Sequence, residues 1–110
     1  MNTLRNKVQL IGNLGNDPEI TNFESGKTLA KFSVATNETY KNPKGEKVTD
    51  TQWHNVVAWG KTAQVVEKFI TKGKEVAIEG RLTTRSWEDK DGVKRYTTEV
   101  VCSELLMLGK

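Results

Sequence analysis

The chain is poor in the residues on which metal sites, disulfide scaffolds and most catalytic centres are built. Cys102 is its one cysteine, which excludes an intrachain disulfide framework and a cysteine zinc site. His54 is its one histidine, which removes paired-histidine metal sites and most triad arrangements. No apolar run approaches the roughly 20 residues of a membrane span. The opening residues lack the apolar stretch and small-residue cleavage site of a secretory signal. The expectation is a reduced, cytoplasmic protein with no membrane partner, no cofactor and no metal. Low-complexity tracts and internal repeats are also missing.

What is present is modest in charge and rich in β-branched side chains. Seventeen Lys and Arg against 14 Asp and Glu give a net charge of +3, compatible with a nucleic-acid partner without demanding one. Hydrophobic residues make up 35% of the 110 positions. That is enough for one domain over 1–110, but a core so small gains from burial against further copies of the chain. Val, Ile and Thr together supply 28 residues, and branched side chains favour a pleated surface.

Turn signals at Gly15-Asn16-Asp17-Pro18, Ser25-Gly26, Asn42-Pro43-Lys44-Gly45, Gly73 and Asp91-Gly92 separate segments of period-two patterning. The third such segment runs over 51–59, the fourth over 75–87 and the fifth over 95–108. Residues 62–71 break the rhythm and put Val65, Val66, Phe69 and Ile70 on one helical stripe, with Thr62 as N-cap and Gly73 as a left-handed stop. Five strands with one short helix between the third and fourth match an all-β OB-fold, a small Greek-key barrel. Periodicity by itself leaves other small barrels open.

The three tryptophans carry the functional signal. On the third strand, Trp53, Asn55, Val57 and Trp59 share one face, and His54, Val56 and Ala58 share the other. The small set fills a barrel. The other face carries two indoles about 20 Å apart with an amide between them. On the fourth strand, Val76, Ile78, Gly80, Leu82 and Thr84 read as inward, and Arg81, Arg85 and Trp87 as outward. Cys102 alternates with Val100 and Tyr96 as a small core residue. Tyr40 opens a locally basic loop with Lys41 and Lys44. Aromatic plates among cations suit a flexible single strand, whose unpaired bases stack on indoles and whose phosphates meet ammonium and guanidinium groups. A tryptophan on a strand can equally be core or subunit packing, a loop lysine can simply be solvated, and His54 reads as a packed or subunit-contact residue. Glu88, Asp89 and Asp91 are the nearest approach to a nuclease carboxylate cluster, and they read as turn chemistry. An accessory interaction module with secondary DNA or RNA binding is a third reading.

The stretch Asn6-Lys-Val-Gln-Leu-Ile-Gly-Asn-Leu-Gly-Asn-Asp-Pro-Glu19 resembles the opening of the bacterial single-stranded DNA-binding protein (SSB) family. The likeness continues through residues 32–36, 53–61, 72–73, 78–87 and 95–101, in the family's order and spacing. It implies an OB-fold homotetramer that binds single-stranded DNA without sequence preference in replication, recombination and repair, and that is not an enzyme. It implies base stacking on Trp53, Trp59 and Trp87, with Tyr40, on a mobile loop, where many members have tryptophan. Lys61, Lys72 and Arg85 match basic positions that face DNA. Asn55, Thr83 and Ser86 stand where better-known members carry cations, which lowers the expected affinity and salt sensitivity. Family members usually continue into a flexible linker and an acidic tip that recruits other proteins, and the residues here do not support tail-mediated partners.

Overall fold

In the computed structural model, which describes residues 5–108, the chain forms six strands and one helix: β1 (Val8–Leu14), β2 (Glu19–Asn22), β3 (Thr28–Lys41), β4 (Lys47–Trp59), α1 (Gly60–Phe69), β5 (Glu75–Glu88) and β6 (Lys94–Leu108). The order across the sheet is β1-β5-β6-β4-β3-β2, and a further β1–β3 pairing closes it into a barrel. All pairs are antiparallel except β4–β6, where Val56, Val57 and Ala58 run parallel to Val100, Val101 and Cys102.

β1 and β2 act as one interrupted barrel strand. Both pair with β3, at Leu14↔Val34 and then Glu19↔Lys31. The break falls at residues 15–18, where Pro18 has no N–H to give a ladder. The Asn16 side chain bridges the gap by accepting from Ser33 N at 3.0 Å and Ser33 Oγ at 2.8 Å. With β1 and β2 taken together, the barrel has the expected five strands and a helix between the third and fourth. Gly12 permits the closure: a Cβ there would stand 2.1 Å from the Ala35 carbonyl oxygen.

The barrel interior follows the alternation of the sequence. Leu14, Ala30, Phe32, Val34, Val56, Ala58, Val76, Ile78, Val100 and Cys102 are buried in one cluster. Each large aliphatic contributes about 1.5–3 kcal/mol by leaving water. Burial pushes the Cys102 thiol up to about 11, so it stays protonated and inert at neutral pH. His54 lies half-buried on this inner face, with Nε2 3.0 Å from Thr36 Oγ1.

Two expectations about this interior are corrected. Leu82, Thr84 and Tyr96 are exposed rather than inward. A bulge at Glu79/Gly80 shifts the β5–β6 register. β5 pairs with β1 only as far as Gly80 and β6 with β4 only from Val100 to Cys102, so the stretch from Thr83↔Glu99 to Glu88↔Lys94 continues as a two-stranded ribbon. The helix also turns differently. Its buried residues are Ala63 and Val66, with Ile70 buried at its C-cap, while Val65 and Phe69 are exposed. Its N-cap is Trp59, with no side-chain cap bond, and Thr62 sits inside the first turn. Gly73 has φ +89, but the helix is already over at Ile70. Gly73 instead serves the following turn, donating its N–H to the Leu14 carbonyl at 2.9 Å. None of the described helices is long and apolar enough to cross a membrane.

Candidate nucleic-acid interface

The outer face of β4 is set by its ladder with β3, in which Trp53 faces Ala35, Asn55 faces Ser33, Val57 faces Lys31 and Trp59 faces Leu29. Residues directly opposite share a face, so Trp53 stands beside small and polar neighbours and Trp59 beside the apolar Leu29. Trp53 is 63% exposed, Trp59 46% and Trp87 43%. All three are available at the surface.

Each indole is held differently. Trp53 lies over Gly15: a Cβ on that glycine would fall 2.2 Å from its Cζ3. The bare backbone makes the seat of the ring. Trp59 stacks on Phe23, with centroids 6.0 Å apart and planes at 21°. Phe23 belongs to the β2–β3 turn, which closes with its N–H donating to the Lys27 carbonyl at 2.8 Å. Trp87 donates its indole N–H to Thr97 Oγ1 at 2.9 Å, which fixes the ring while leaving it at the surface.

Between the tryptophans runs a shallow groove of about 390 Å³ across β3, β4, β6 and β5. Asn16, Ser33, Asn55 and Thr97 line it with neutral polar groups, and Val57 with apolar surface. Its charged residues are Lys31, Arg85, Glu19 and Glu99. Arg85 Nε donates to Glu99 Oε1 at 3.3 Å.

The remaining expected residues spread around the molecule. Tyr40 is 54% exposed, but it is part of β3, paired with Val48, rather than on a loop. By register it occupies the ribbon face opposite Trp53. Lys41 is on the Trp53 face and directly opposite Lys47, a like-charge pair that repels unless an anion lies near. Lys44 is at the hairpin tip, where Asn42 Oδ1 accepts its N–H at 3.0 Å and that of Glu46 at 2.9 Å. Lys61 lines a separate apolar cleft with Val65, Leu105 and Leu106. Lys72 is exposed in the turn after α1, its backbone N–H held by Asp17 Oδ1 at 2.9 Å. Of the expected residues the groove is lined by Arg85 alone; Trp53 on Gly15 and Trp87 on Thr97 adjoin its lining, whereas Tyr40, Lys41, Lys44, Lys61 and Lys72 do not line it.

Phe23, Lys31 and Glu99 belong to this surface without having been singled out from the sequence. Lys31 alternates with buried Ala30 and Phe32, and that parity is the signal that could have found it. Phe23 gave none, because its contact with Trp59 is tertiary.

The acidic loop is a turn. Asp89 Oδ1 accepts the N–H groups of Asp91 and Val93, and its Oδ2 accepts from Arg95 Nε at 2.9 Å. The Arg95 guanidinium holds the Asp89 carboxyl below its ordinary range. These oxygens are used in shaping the hairpin.

Residues 5–108 match the model of the single-strand binding protein family. The single-stranded DNA-binding protein 1 of Chlorobaculum tepidum is 50% identical over 105 residues, covering 94% of this chain and 65% of that protein. Its namesake from Xylella fastidiosa is 48% identical over 106 residues, covering 96% of this chain and 78% of that protein. This chain therefore spans about two thirds to three quarters of the curated relatives it matches. Among solved structures, the Plasmodium falciparum SSB in complex with ssDNA superposes with a TM-score of 0.88 at 32% identity, covering 99% of this chain and 100% of that one. A deletion mutant of the single-stranded DNA binding protein from Thermus aquaticus gives 0.81 at 27% identity, covering 94% of this chain and 50% of that one.

The seat of Trp53 makes a prediction. Gly15→Ala is expected to lift the indole and change tryptophan emission, while stability falls by less than about 1 kcal/mol because a surface ring can move aside. Emission spectra and thermal melts of the variant check this. An unchanged spectrum contradicts the contact.

Proposed function

The chain belongs to the single-strand binding protein family, and on that premise we propose that it binds single-stranded DNA without sequence preference and protects it during replication, recombination and repair. The observation that carries this reading is the exposure of three indoles, Trp53 and Trp59 on the face of β4 that holds Asn55 and Val57 and Trp87 on the face of β5 that holds Arg85, with those three neighbours lining one shallow groove. Unpaired bases stack on Trp53, Trp59 and Trp87. Every base has a π-face, so stacking is indifferent to sequence, and a duplex keeps those faces hidden. Lys41 and Lys47, forced opposite each other at the hairpin tip, gain most from a phosphate, which relieves their repulsion and releases counterions. Tyr40, Lys44, Lys61 and Lys72 lie off the groove and extend the path of a strand that wraps past the ends of the barrel. The protein acts by binding, and no covalent step enters this reading.

Assembly into a homotetramer belongs to the same proposal. Ile11, Ala77 and Leu106 are in register across β1, β5 and β6. Ile11 and Leu106 are both exposed, so three strands present one apolar row to solvent. Val65 and Leu105 continue it in the cleft beside α1. A copy of the chain laid on this row supplies the burial that a small core leaves wanting, and it joins several aromatic faces into one track.

Titration with oligo-dT is expected to quench tryptophan fluorescence, and Trp53→Ala to weaken binding by about 1–3 kcal/mol, a range known for single-strand binders as a class. No quenching at low salt overturns the reading; equal affinity for a matched duplex does the same, and a poly-U arm separates RNA from DNA. Light scattering is expected to give a mass near four times the 12.4 kDa of one chain, and Leu106→Asp to lower it. A wild-type monomer at micromolar concentration contradicts the assembly.

A further inference from the structure

Arg85 is not an unpaired cation. Its guanidinium lies on Glu99, and the two side chains are unequally placed: Arg85 is 55% exposed and Glu99 14%. The carboxylate is withdrawn into the groove, and the cation stands over it. A carboxylate with so little water needs a partner. Among the described residues the bond from Arg85 Nε at 3.3 Å is its one side-chain hydrogen bond. Drawing Arg85 away to a phosphate strands that charge.

The surroundings make the point general. The charged side chains lining the groove are two cations, Lys31 and Arg85, and two carboxylates, Glu19 and Glu99. Glu19 stands directly opposite Lys31 in the β2–β3 ladder. The groove is formally neutral. At the hairpin tip the balance is different, since Lys41 and Lys47 face each other with no carboxylate in a salt bridge to either among the described residues.

We propose, resting on the single-strand reading above, that Glu99 limits affinity by holding Arg85 as an internal counter-ion, so that the groove contributes stacking and hydrogen bonding while the rim lysines contribute the charge. Glu99 is then a negative determinant of binding strength, and its removal releases a cation that the wild-type protein keeps occupied. One more phosphate neutralised steepens the dependence of log affinity on log salt by about 0.7 for a single strand.

The test is a fluorescence titration of a short oligo-dT at ~50 mM and ~200 mM NaCl with the wild type, Glu99→Gln, Glu99→Asp and the double variant Arg85→Gln/Glu99→Gln. Glu99→Gln is expected to bind more tightly at the lower salt and to lose about 2.6-fold more affinity than wild type between the two salts, the effect of one added phosphate contact. Glu99→Asp, which keeps the charge, is expected to retain the wild-type slope. The double variant is expected to return to it. Weaker binding or an unchanged slope in Glu99→Gln overturns the proposal, as does Glu99→Asp behaving like Glu99→Gln, which marks a purely structural role. A wild type that gives no quenching at either salt is a different result: it removes the single-strand reading itself and this proposal with it.

Discussion

Thirteen residue pairs hold β3 against β4 in a single register, from Leu29↔Trp59 to Lys41↔Lys47. Every later feature depends on that ladder. Strand side chains alternate strictly, so a slip of one residue exchanges the two faces completely. In the observed register Val56 and Ala58 are sealed inside and Trp53 and Trp59 stand outside. In the slipped one, two indoles would have to enter a barrel filled by valine and alanine. The penalty for overpacking and for exposing the aliphatic set fixes the register, and the register fixes the indoles on the outside.

From this follows a division of the surface by physical effect. The centre of the outer face is aromatic, polar and formally neutral, with Trp53 resting on Gly15 and Arg85 engaged by Glu99. Among the described residues, Lys41 and Lys47 at the hairpin tip and Lys61 and Lys72 at the two ends of α1 have no salt bridge. Stacking loses little strength in salt, whereas phosphate contacts weaken steeply. In the proposed binding mode such a surface takes bases at its neutral centre and phosphates at its charged rim. The proposed assembly uses another surface, the apolar row of Ile11, Ala77 and Leu106.

Much of this was legible in the sequence because a strand's parity survives any tertiary context. The split between Trp53 and His54, the inward set up to Gly80 and the position of the one helix all came from local pattern. The misses fall where a side chain's fate depends on what stands across from it. Leu82 and Tyr96 continue the inward parity, but β1 stops pairing with β5 at Gly80 and β4 stops pairing with β6 at Val100, so these two side chains lie at and beyond the barrel's end. The helix has apolar residues on two sides, and the choice of Ala63 over Val65 and Phe69 for the buried side was set by how closely the helix lies on the core. Tyr40 has the composition of the aromatic face, yet the hairpin register turns it to the other side. The stack of Phe23 on Trp59 and the pairing of Arg85 with Glu99 join segments far apart in the chain, and no local pattern encodes either.

The most direct measurement of the central claim is the set of indole N–H resonances of ¹⁵N-labelled protein, assigned by single tryptophan substitutions, during addition of single-stranded and matched duplex oligonucleotides. The account predicts that the Trp53, Trp59 and Trp87 signals all shift with the single strand and hold their positions with the duplex. Tight binding of the single strand that leaves all three signals in place would contradict it.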